Sequence, residues 1–265
     1  MAWGRGLLAL AMLLAAGVAW AGRPNLLLVV ADDLNADSVG AFGAQLAGTT
    51  PNIDRIANRG MRFAYAHVQV ANCQPSRNVM WSGRYPHSNG IDGFYSLPRV
   101  DYQGFGELLN LAGYHTAILN KVRHSTAYPR YPWAMVLDEH PAVSAVERYN
   151  RYPATYGRAT TLAIEAAREA DKPFAVLLNL SDPHVPFYGY DKHGRPRADP
   201  YSPSRVFGAN EISVPGFLPE DPVVREEVAR YYSSVRRADD AVGEILAALK
   251  SSGEEGNTLV LFLSD

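Results

Sequence analysis

Short apolar runs alternate with stretches of helical periodicity along most of this chain. Strands are predicted at 26–31, 115–119, 174–180 and 259–263, and the first of these runs is rich in Leu and Val, which is typical of a strand buried on both faces. Another short run, at 61–66, reads as one more strand. Because strands alternate with helices, the pattern predicts an α/β fold with a mostly parallel central sheet and helices on both faces.

The helical stretches have recognisable ends. Thr50-Pro51 resembles a helix cap followed by a proline in the first turn, and Gly60 ends that helix. Further helices are predicted at 76–81, 105–111, 158–170 and 223–250, the last with a break near Gly243. Residues 188–222 are rich in Pro, Gly and polar groups, which predicts a long loop.

The first residues have the pattern of a targeting segment. Arg5 precedes an apolar run at 7–18, and Ala19-Trp20-Ala21 offers small residues where a signal peptidase cleaves. The alternative is a membrane anchor, but this run is shorter than the roughly 20 residues that span a bilayer. We expect residues 1–21 to be a signal peptide of an exported protein, periplasmic or secreted, or lysosomal in a eukaryote. Residues 22–265 would form one catalytic domain, with no membrane span after cleavage.

Composition excludes some classes of partner. The chain has 265 residues, 47% of them hydrophobic, which is enough for one large domain. Its 25 basic and 27 acidic side chains give a formal net charge of -2. No strong field of one sign therefore exists to attract nucleic acid or an anionic membrane.

Three acidic side chains and one histidine follow the predicted strands. Asp32 and Asp33 come directly after the first strand, His184 follows the strand at 174–180, and Asp265 follows the last one. Ligands of parallel sheets bind beyond the carboxyl ends of the strands. Carboxylates that crowd together favour a hard cation such as Ca²⁺ or Mg²⁺, although single strand-end Asp residues also cap helices and turns.

The single cysteine lies in a distinctive setting. Cys73-Gln-Pro-Ser-Arg77 precedes a predicted helix and is followed by Ser-Gly-Arg at 82–84. One cysteine cannot form an internal disulfide, and a lone cysteine is often only a small buried hydrophobic residue. At the start of a helix, however, the positive end of the dipole would favour an anionic or polar group at Cys73, and Arg77 lies one turn further on.

These residues resemble the sulfatase signature, Cys-x-Pro-Ser-Arg followed by Ser/Thr-Gly-Arg. Other segments resemble elements of the same family in the same order. They are the first strand from 23 to 33, the Thr-Pro-Asn-Ile-Asp run at 50–54, the strand that leads to Lys121, the Pro-His-x-Pro run at 183–186, and the strand at 258–265. The resemblance covers essentially all of residues 23–265.

The resemblance implies that Cys73 is oxidised during export to formylglycine, an aldehyde, by a formylglycine-generating or an anaerobic sulfatase-maturating enzyme. The hydrate of this aldehyde would supply the oxygen that attacks sulfur, and its second hydroxyl would later expel sulfate. The resemblance also implies Ca²⁺, rather than Mg²⁺, bound by Asp32, Asp33, residue 73 and Asp265.

Four further residues receive roles from the resemblance. Arg77 would hold the hydrate and its developing charge, while Lys121 and His184 would bind sulfate oxygens. His184 would also assist the leaving group, and His124 would orient the nucleophile. The physical logic is that a sulfate ester transition state needs a cation and several fixed donors around its negative charge.

The sequence also departs from the family pattern. Many sulfatases have Gly-Lys-x-His, whereas this chain has Asn120-Lys121 with His124 one residue further on, a spacing similar to that of iduronate-2-sulfatase-type members. Arg123 is a competing cation in this segment. The family continues beyond the position of Asp265 with another metal ligand and a C-terminal subdomain. The resemblance therefore implies that the C-terminal part is missing, with weak ion binding as a consequence.

The expected activity is hydrolysis of sulfate esters or sulfamates, most similar to heparan N-sulfatase and its relatives, on sulfated carbohydrate. Two alternatives stay open. One is a phosphonate monoester or phosphodiester hydrolase of the same superfamily, and the other is an inactive relative that only binds sulfated glycans.

Overall fold

The computed structural model describes residues 23–146 and 149–265, and its centre is a parallel sheet. Within these residues the sheet has five strands in the order β3-β2-β4-β1-β5. The strands are β1 (Asn25–Asp32), β2 (His115–Leu119), β3 (Met135–Val136), β4 (Phe174–Pro183) and β5 (Thr258–Ser264). Every neighbouring pair is parallel, which confirms the predicted fold class. The targeting segment predicted at 1–21 lies outside the described residues.

Seven α-helices in the described part of the chain surround this sheet. They are α1 (Pro51–Arg59), α2 (Cys73–Ser82), α3 (Pro86–Asn89), α4 (Phe105–Leu111), α5 (Pro141–Ser144), α6 (Pro153–Glu169) and α7 (Pro222–Ser251). None of the helices in the described ranges is both long and apolar enough to cross a membrane.

Strands β1, β2 and β4 are buried on both faces, as their apolar sequence predicts, whereas β5 is only partly buried and its Leu259 is 54% exposed. Leu27 and Val29 of β1 pack into the larger core beneath α6 and α7. Leu28 and Val30 point to the opposite face and join the cluster around Trp81 of α2. Successive side chains of a strand alternate between faces, so each face needs its own apolar cover.

The long helix α7 runs unbroken through Gly243, contrary to the predicted break. A Cβ added at Gly243 would lie 2.9 Å from the amide nitrogen of Asn52, so the glycine permits close approach of α1. Asp239, one turn earlier in α7, accepts hydrogen bonds from the backbone amides of Asn52 and Ile53 at 2.9 and 2.8 Å. The side chain of Thr50 does not cap α1, so Asp239 of α7 supplies the acceptor for the first amides of that helix.

Loss of core volume in α7 should be costly. Ile245 is fully buried against the sheet, and Ile245→Ala should lower the free energy of unfolding by about 2–5 kcal/mol because it leaves a cavity. Val223 of the same helix is 74% exposed, so Val223→Ala serves as the control and should change little. Urea denaturation of both variants measures the difference, and equal losses would contradict this packing.

Some boundaries differ from the sequence predictions. Residues 61–66 form turns rather than a strand, and Met61, Phe63 and Tyr65 are 78%, 67% and 89% exposed. None of the described strands pairs with them, and an apolar run becomes a strand only where a partner strand satisfies its backbone. Helix α6 begins at Pro153, five residues before its predicted start, and the two-residue strand β3 was not predicted.

Candidate active site

The carboxyl ends of four neighbouring strands bring the predicted site residues to one edge of the sheet. Asp32 ends β1, Lys121 follows β2, His184 follows β4 and Asp265 follows β5. The helix α2 starts at Cys73, three residues before its predicted start, and places this residue against the same edge. Segments that are far apart in the sequence therefore meet at the edge where parallel sheets bind ligands.

Four potential ligands converge here. One side-chain atom from each of Asp32, Asp33, Cys73 and Asp265 lies within 4.8 Å of the other three, and His184 joins Asp32 and Cys73 in an overlapping group. The backbone of Asp33 has a left-handed φ of 62° and donates its N–H to Asp265 Oδ1 at 3.2 Å. A non-glycine residue held in this region is typical of a constrained functional site.

Two cations neutralise part of this acidic cluster. The guanidinium of Arg77 is fully buried and lies 3.3 Å from Asp32 Oδ1 and 2.8 Å from Asp265 Oδ2. The ammonium of Lys121 forms an ion pair with the other oxygen of Asp32. Charges without water must be paired, so these contacts fix the positions of both cations at the cluster.

The two buried carboxyl groups titrate as a pair. Burial disfavours the charge of Asp32, but its hydrogen bond with Asp265 and the charges of Arg77 and Lys121 outweigh burial and lower its pKa to about 2. Burial raises the pKa of Asp265 to about 6, against the attraction of Arg77. Crowded carboxylates that cannot both ionise freely favour a cation, so these residues fit a hard divalent ion with oxygen ligands.

Cys73 is buried as the first residue of α2, yet its acidity is opposite to the sequence expectation. Burial, followed by the negative charges of Asp32 and Asp265, raises the pKa of the Cys73 thiol to about 12. The helix dipole alone would lower this pKa, but two carboxylates at close range and the loss of solvent are stronger. The thiol is therefore protonated at neutral pH.

Asn179 of β4 is a polar core residue that the sequence analysis missed. Its side chain accepts a hydrogen bond from Arg77 and donates to the backbone oxygens of Leu119 and Asn120 at 3.2 and 2.7 Å. Asn120 in turn donates to Ser181 Oγ at 2.6 Å. An isolated Asn within an apolar run was the only signal, and such a residue must be hydrogen-bonded when buried.

The departure at Asn120 has a backbone explanation. Asn120 and Lys121 both have left-handed φ values, 59° and 50°. Asn tolerates this conformation better than other non-glycine residues, so it can replace the Gly of the family pattern. A 3₁₀ turn, Val122–His124, follows directly, and it accounts for the longer spacing between the lysine and the histidine.

His124 lies beside the cationic side of the cluster. Burial, then the charges of Lys121 and Arg77, lowers the pKa of its imidazole. Its ring and that of Phe94 pack edge to face at a centroid distance of 5.5 Å. Arg123 is exposed, and the described contacts do not bring it to the cluster.

His184 faces the cluster from the end of β4. Its Nε2 lies 3.7 Å from Asp33 Oδ2. The backbone oxygens of His184 and Val185 accept hydrogen bonds from Arg151 at 3.0 and 3.2 Å. Buried Arg151 therefore fixes the backbone of the turn that carries His184.

A buried ion network supports this turn, and sequence reasoning did not find it. Asp182 forms ion pairs with Arg151 and with Arg237 of α7, the latter at 2.8 Å. Arg237 also contacts Asp199 at 2.8 Å. Burial opposes ionisation of Asp182, but the charges of Arg151 and Arg237 lower its pKa below the usual value. The proximity of Asp182 to His184 in sequence was the one available signal, since the arginines lie far away in the chain.

The chain belongs to the sulfatase family, whose model matches residues 24–265. N-sulphoglucosamine sulphohydrolase of Homo sapiens is 31% identical over 277 residues, which covers 96% of this chain and 53% of that protein. Iduronate 2-sulfatase of Mus musculus is 28% identical and is matched over 91% of this chain and 54% of its own length. The chain thus spans about half the length of these curated relatives. The predicted family membership is confirmed.

Solved structures share the fold. A protein in complex with its substrate D-glucosamine-2-N,6-O-disulfate superposes with a TM-score of 0.66 at 20% identity, over 91% of this chain and 65% of that one. The phosphonate monoester hydrolase of Agrobacterium radiobacter superposes with a TM-score of 0.61 at 19% identity, over 91% of this chain and 61% of that one. At such identities the likeness establishes a common fold, since one fold hosts several activities.

Proposed function

We propose that this protein hydrolyses sulfate esters or sulfamates on sulfated carbohydrate with a nucleophile made from Cys73. The observation that carries the proposal is the position of Cys73. It opens a helix directly against Asp32, Asp33 and Asp265, with ligand atoms within 4.8 Å of one another, while Arg77 lies one turn further on. This combination would bring a nucleophile, a cation and a fixed guanidinium together at one point.

The acidic residues would hold Ca²⁺. Asp32, Asp33, Asp265 and the oxygen of a modified residue 73 would be its ligands, and three carboxylates suit Ca²⁺ better than Mg²⁺, which usually keeps several waters. When bound, such an ion supplies positive charge that polarises a sulfate oxygen and stabilises the nucleophile.

Conversion of Cys73 to formylglycine would provide an oxygen nucleophile at this position. The Cys-x-Pro-Ser-Arg motif at 73–77 supports this modification, and a formylglycine-generating or an anaerobic sulfatase-maturating enzyme would be the partner. The signal peptide at 1–21 would direct the protein to an exported location.

Four basic side chains would handle the negative charge. Arg77 would hold residue 73, while Lys121, which contacts Asp32, and His184, which faces Asp33, would donate to sulfate oxygens. His184 would also protonate the leaving group, and His124 would orient the nucleophile. Arg77 and Lys121 are fixed before substrate arrives, which is how preorganised donors lower a barrier.

The names of the relatives favour an amino-sugar or uronic-acid substrate. The human relative is named for N-sulphoglucosamine and the mouse relative for iduronate. We therefore infer a glycosaminoglycan-like substrate in which a sulfate or sulfamate group is removed from a sugar.

Hydrolysis of 4-nitrophenyl sulfate and of an aryl methylphosphonate by the matured protein tests the reaction class. We expect kcat/KM to be higher for the sulfate. A higher kcat/KM for the phosphonate would replace this proposal with a phosphonate monoester hydrolase, an activity known for a protein of this fold. Turnover of neither, with Cys73 unmodified, would favour a non-catalytic glycan-binding relative.

Removal of one ligand charge should weaken ion binding strongly. Asp33→Asn keeps the size of the side chain, and Asn also tolerates the left-handed φ of 62°, so the fold should survive. We expect calorimetry to show Ca²⁺ affinity lower by about 100-fold or more, since even residues behind the ligands contribute 10- to 100-fold. Asp37→Asn removes an exposed charge nearby and is the control. Equal affinities in both variants would show that Asp33 is not a ligand.

A further inference from the structure

A polar cavity of about 500 Å³ opens next to the turn that carries His184. Asn150, Arg151 and Pro186 line one part of it, and the loop at 190–197 lines the rest. His184 and Pro186 are two residues apart, a span of at most about 7 Å. The cavity is therefore within the reach of a sugar residue next to one bound at the site, and its volume suits a small ligand.

The loop at 190–197 is held in one shape by its own hydrogen bonds. Asp191 accepts from the backbone amides of His193 and Arg195 at 2.8 and 3.0 Å, and from Arg195 Nε at 2.9 Å. The hydrogen bonds from Arg195 lower the pKa of Asp191 below its usual range. The amide of Arg197 donates to the backbone oxygen of Gly189 at 2.7 Å, which closes the loop. A loop of fixed shape can present charged side chains without a large ordering cost on binding.

Two cations of this cavity have no counter-charge among the residues that the structure describes. Arg195 is neutralised by Asp191, and Arg151 is neutralised by Asp182. Lys192 and Arg197, by contrast, have no side-chain hydrogen bond or ion pair with any other residue that the structure describes. This positive charge belongs to the cavity and not to the protein as a whole, since the chain has a formal net charge of -2.

We propose that Lys192 and Arg197 bind a second anionic group of the substrate, a sulfate or carboxylate on the sugar next to the one that loses its sulfate. This inference rests on the proposed function and adds that the substrate carries at least two anionic groups on neighbouring sugars. Lysine and arginine side chains are the usual partners of such groups, and arginine can bind them with two parallel hydrogen bonds.

The test compares a substrate that fills the cavity with one that cannot. The double variant Lys192→Ala/Arg197→Ala is assayed with a heparin-derived tetrasaccharide and with 4-nitrophenyl sulfate. We expect kcat/KM for the tetrasaccharide to fall about tenfold, mainly through KM, with a weaker dependence on salt. Turnover of the small aryl sulfate should stay unchanged. Lys172→Ala/Lys250→Ala removes two exposed charges near the amino ends of the strands and should alter neither reaction.

Equilibrium binding of the same tetrasaccharide to wild type and double variant tests the role of the cavity independently of catalysis. If the wild-type protein turns over neither substrate, the proposed function fails, but a tenfold weaker affinity of the double variant still supports the cavity. Equal affinity of wild type and double variant, or equal losses with both substrates, overturns the inference. A carboxyl-reduced tetrasaccharide identifies the anion: retained dependence on Lys192 and Arg197 assigns a sulfate, and lost dependence assigns a carboxylate.

Discussion

Cys73→Ala is expected to reduce hydrolysis of 4-nitrophenyl sulfate by at least about four orders of magnitude, because loss of a nucleophile removes the reaction path itself. The substitution removes a single side-chain atom at the start of α2, the thiol sulfur or the oxygen that replaces it in formylglycine, so Arg77, Lys121 and the three carboxylates should keep their places. Measured kcat of the matured protein, wild type against variant, gives the comparison.

The control for this result is a truncation of similar size outside the site. Ser251→Ala removes one exposed side-chain atom from the last residue of α7, near the amino end of β5. It should leave kcat unchanged, and both variants should unfold within a few degrees of the wild-type protein. Residual activity of Cys73→Ala within tenfold of wild type would exclude residue 73 as the nucleophile.

Asp182→Asn is expected to lower the free energy of unfolding by about 3–5 kcal/mol, because it breaks a buried ion network, removes the anionic partner of buried Arg151 and leaves Arg237 paired with Asp199. Asp182 is the shared anion of Arg151 and Arg237, and all three side chains are buried. Since Arg151 also holds the backbone oxygen of His184, kcat should fall as well. Chemical denaturation with parallel kinetics measures both effects.

The pH dependence of the free energy of unfolding provides a second test of the effect of Asp182→Asn. The pKa of Asp182 in the folded protein is below its usual value, so its stabilising contribution is present at neutral pH. That contribution is lost as pH falls through the lowered pKa, and wild type and variant should then converge in stability. Asp191→Asn breaks an exposed ion pair and should change stability little. A difference between wild type and Asp182→Asn that persists undiminished in acid would contradict the ion-pair explanation.

Most of the sheet could be predicted because its central strands, β1, β2 and β4, are buried on both faces. Continuous apolar runs such as that of β1 have few other stable placements in an α/β protein. The run at 61–66 was predicted as a strand too, but none of the described strands pairs with it, and local sequence carries no information about pairing. The continuity of α7 at Gly243 could not be predicted either. The glycine there makes room for Asn52, a residue far away in the chain.

The site was predictable where chemistry follows strand ends and unpredictable where it depends on partners across the fold. Asp32 and Asp265 could be placed together because parallel strands share one carboxyl edge. Asn179 and Arg151 could not, since neither follows a motif and each acts through a residue far away in the chain. The raised pKa of Cys73 could not be predicted for the same reason. The helix dipole that would lower this pKa is a local feature, whereas the carboxylates that raise it come from other strands.

Mass spectrometry of the tryptic peptide at 63–77, taken from protein that hydrolyses 4-nitrophenyl sulfate, determines whether Cys73 is the source of the nucleophile. We expect a peptide in which the –CH₂SH of Cys73 has become an aldehyde that reacts with a hydrazide, in proportion to activity. Active protein in which Cys73 is entirely a free thiol, open to alkylation after unfolding, would contradict this expectation.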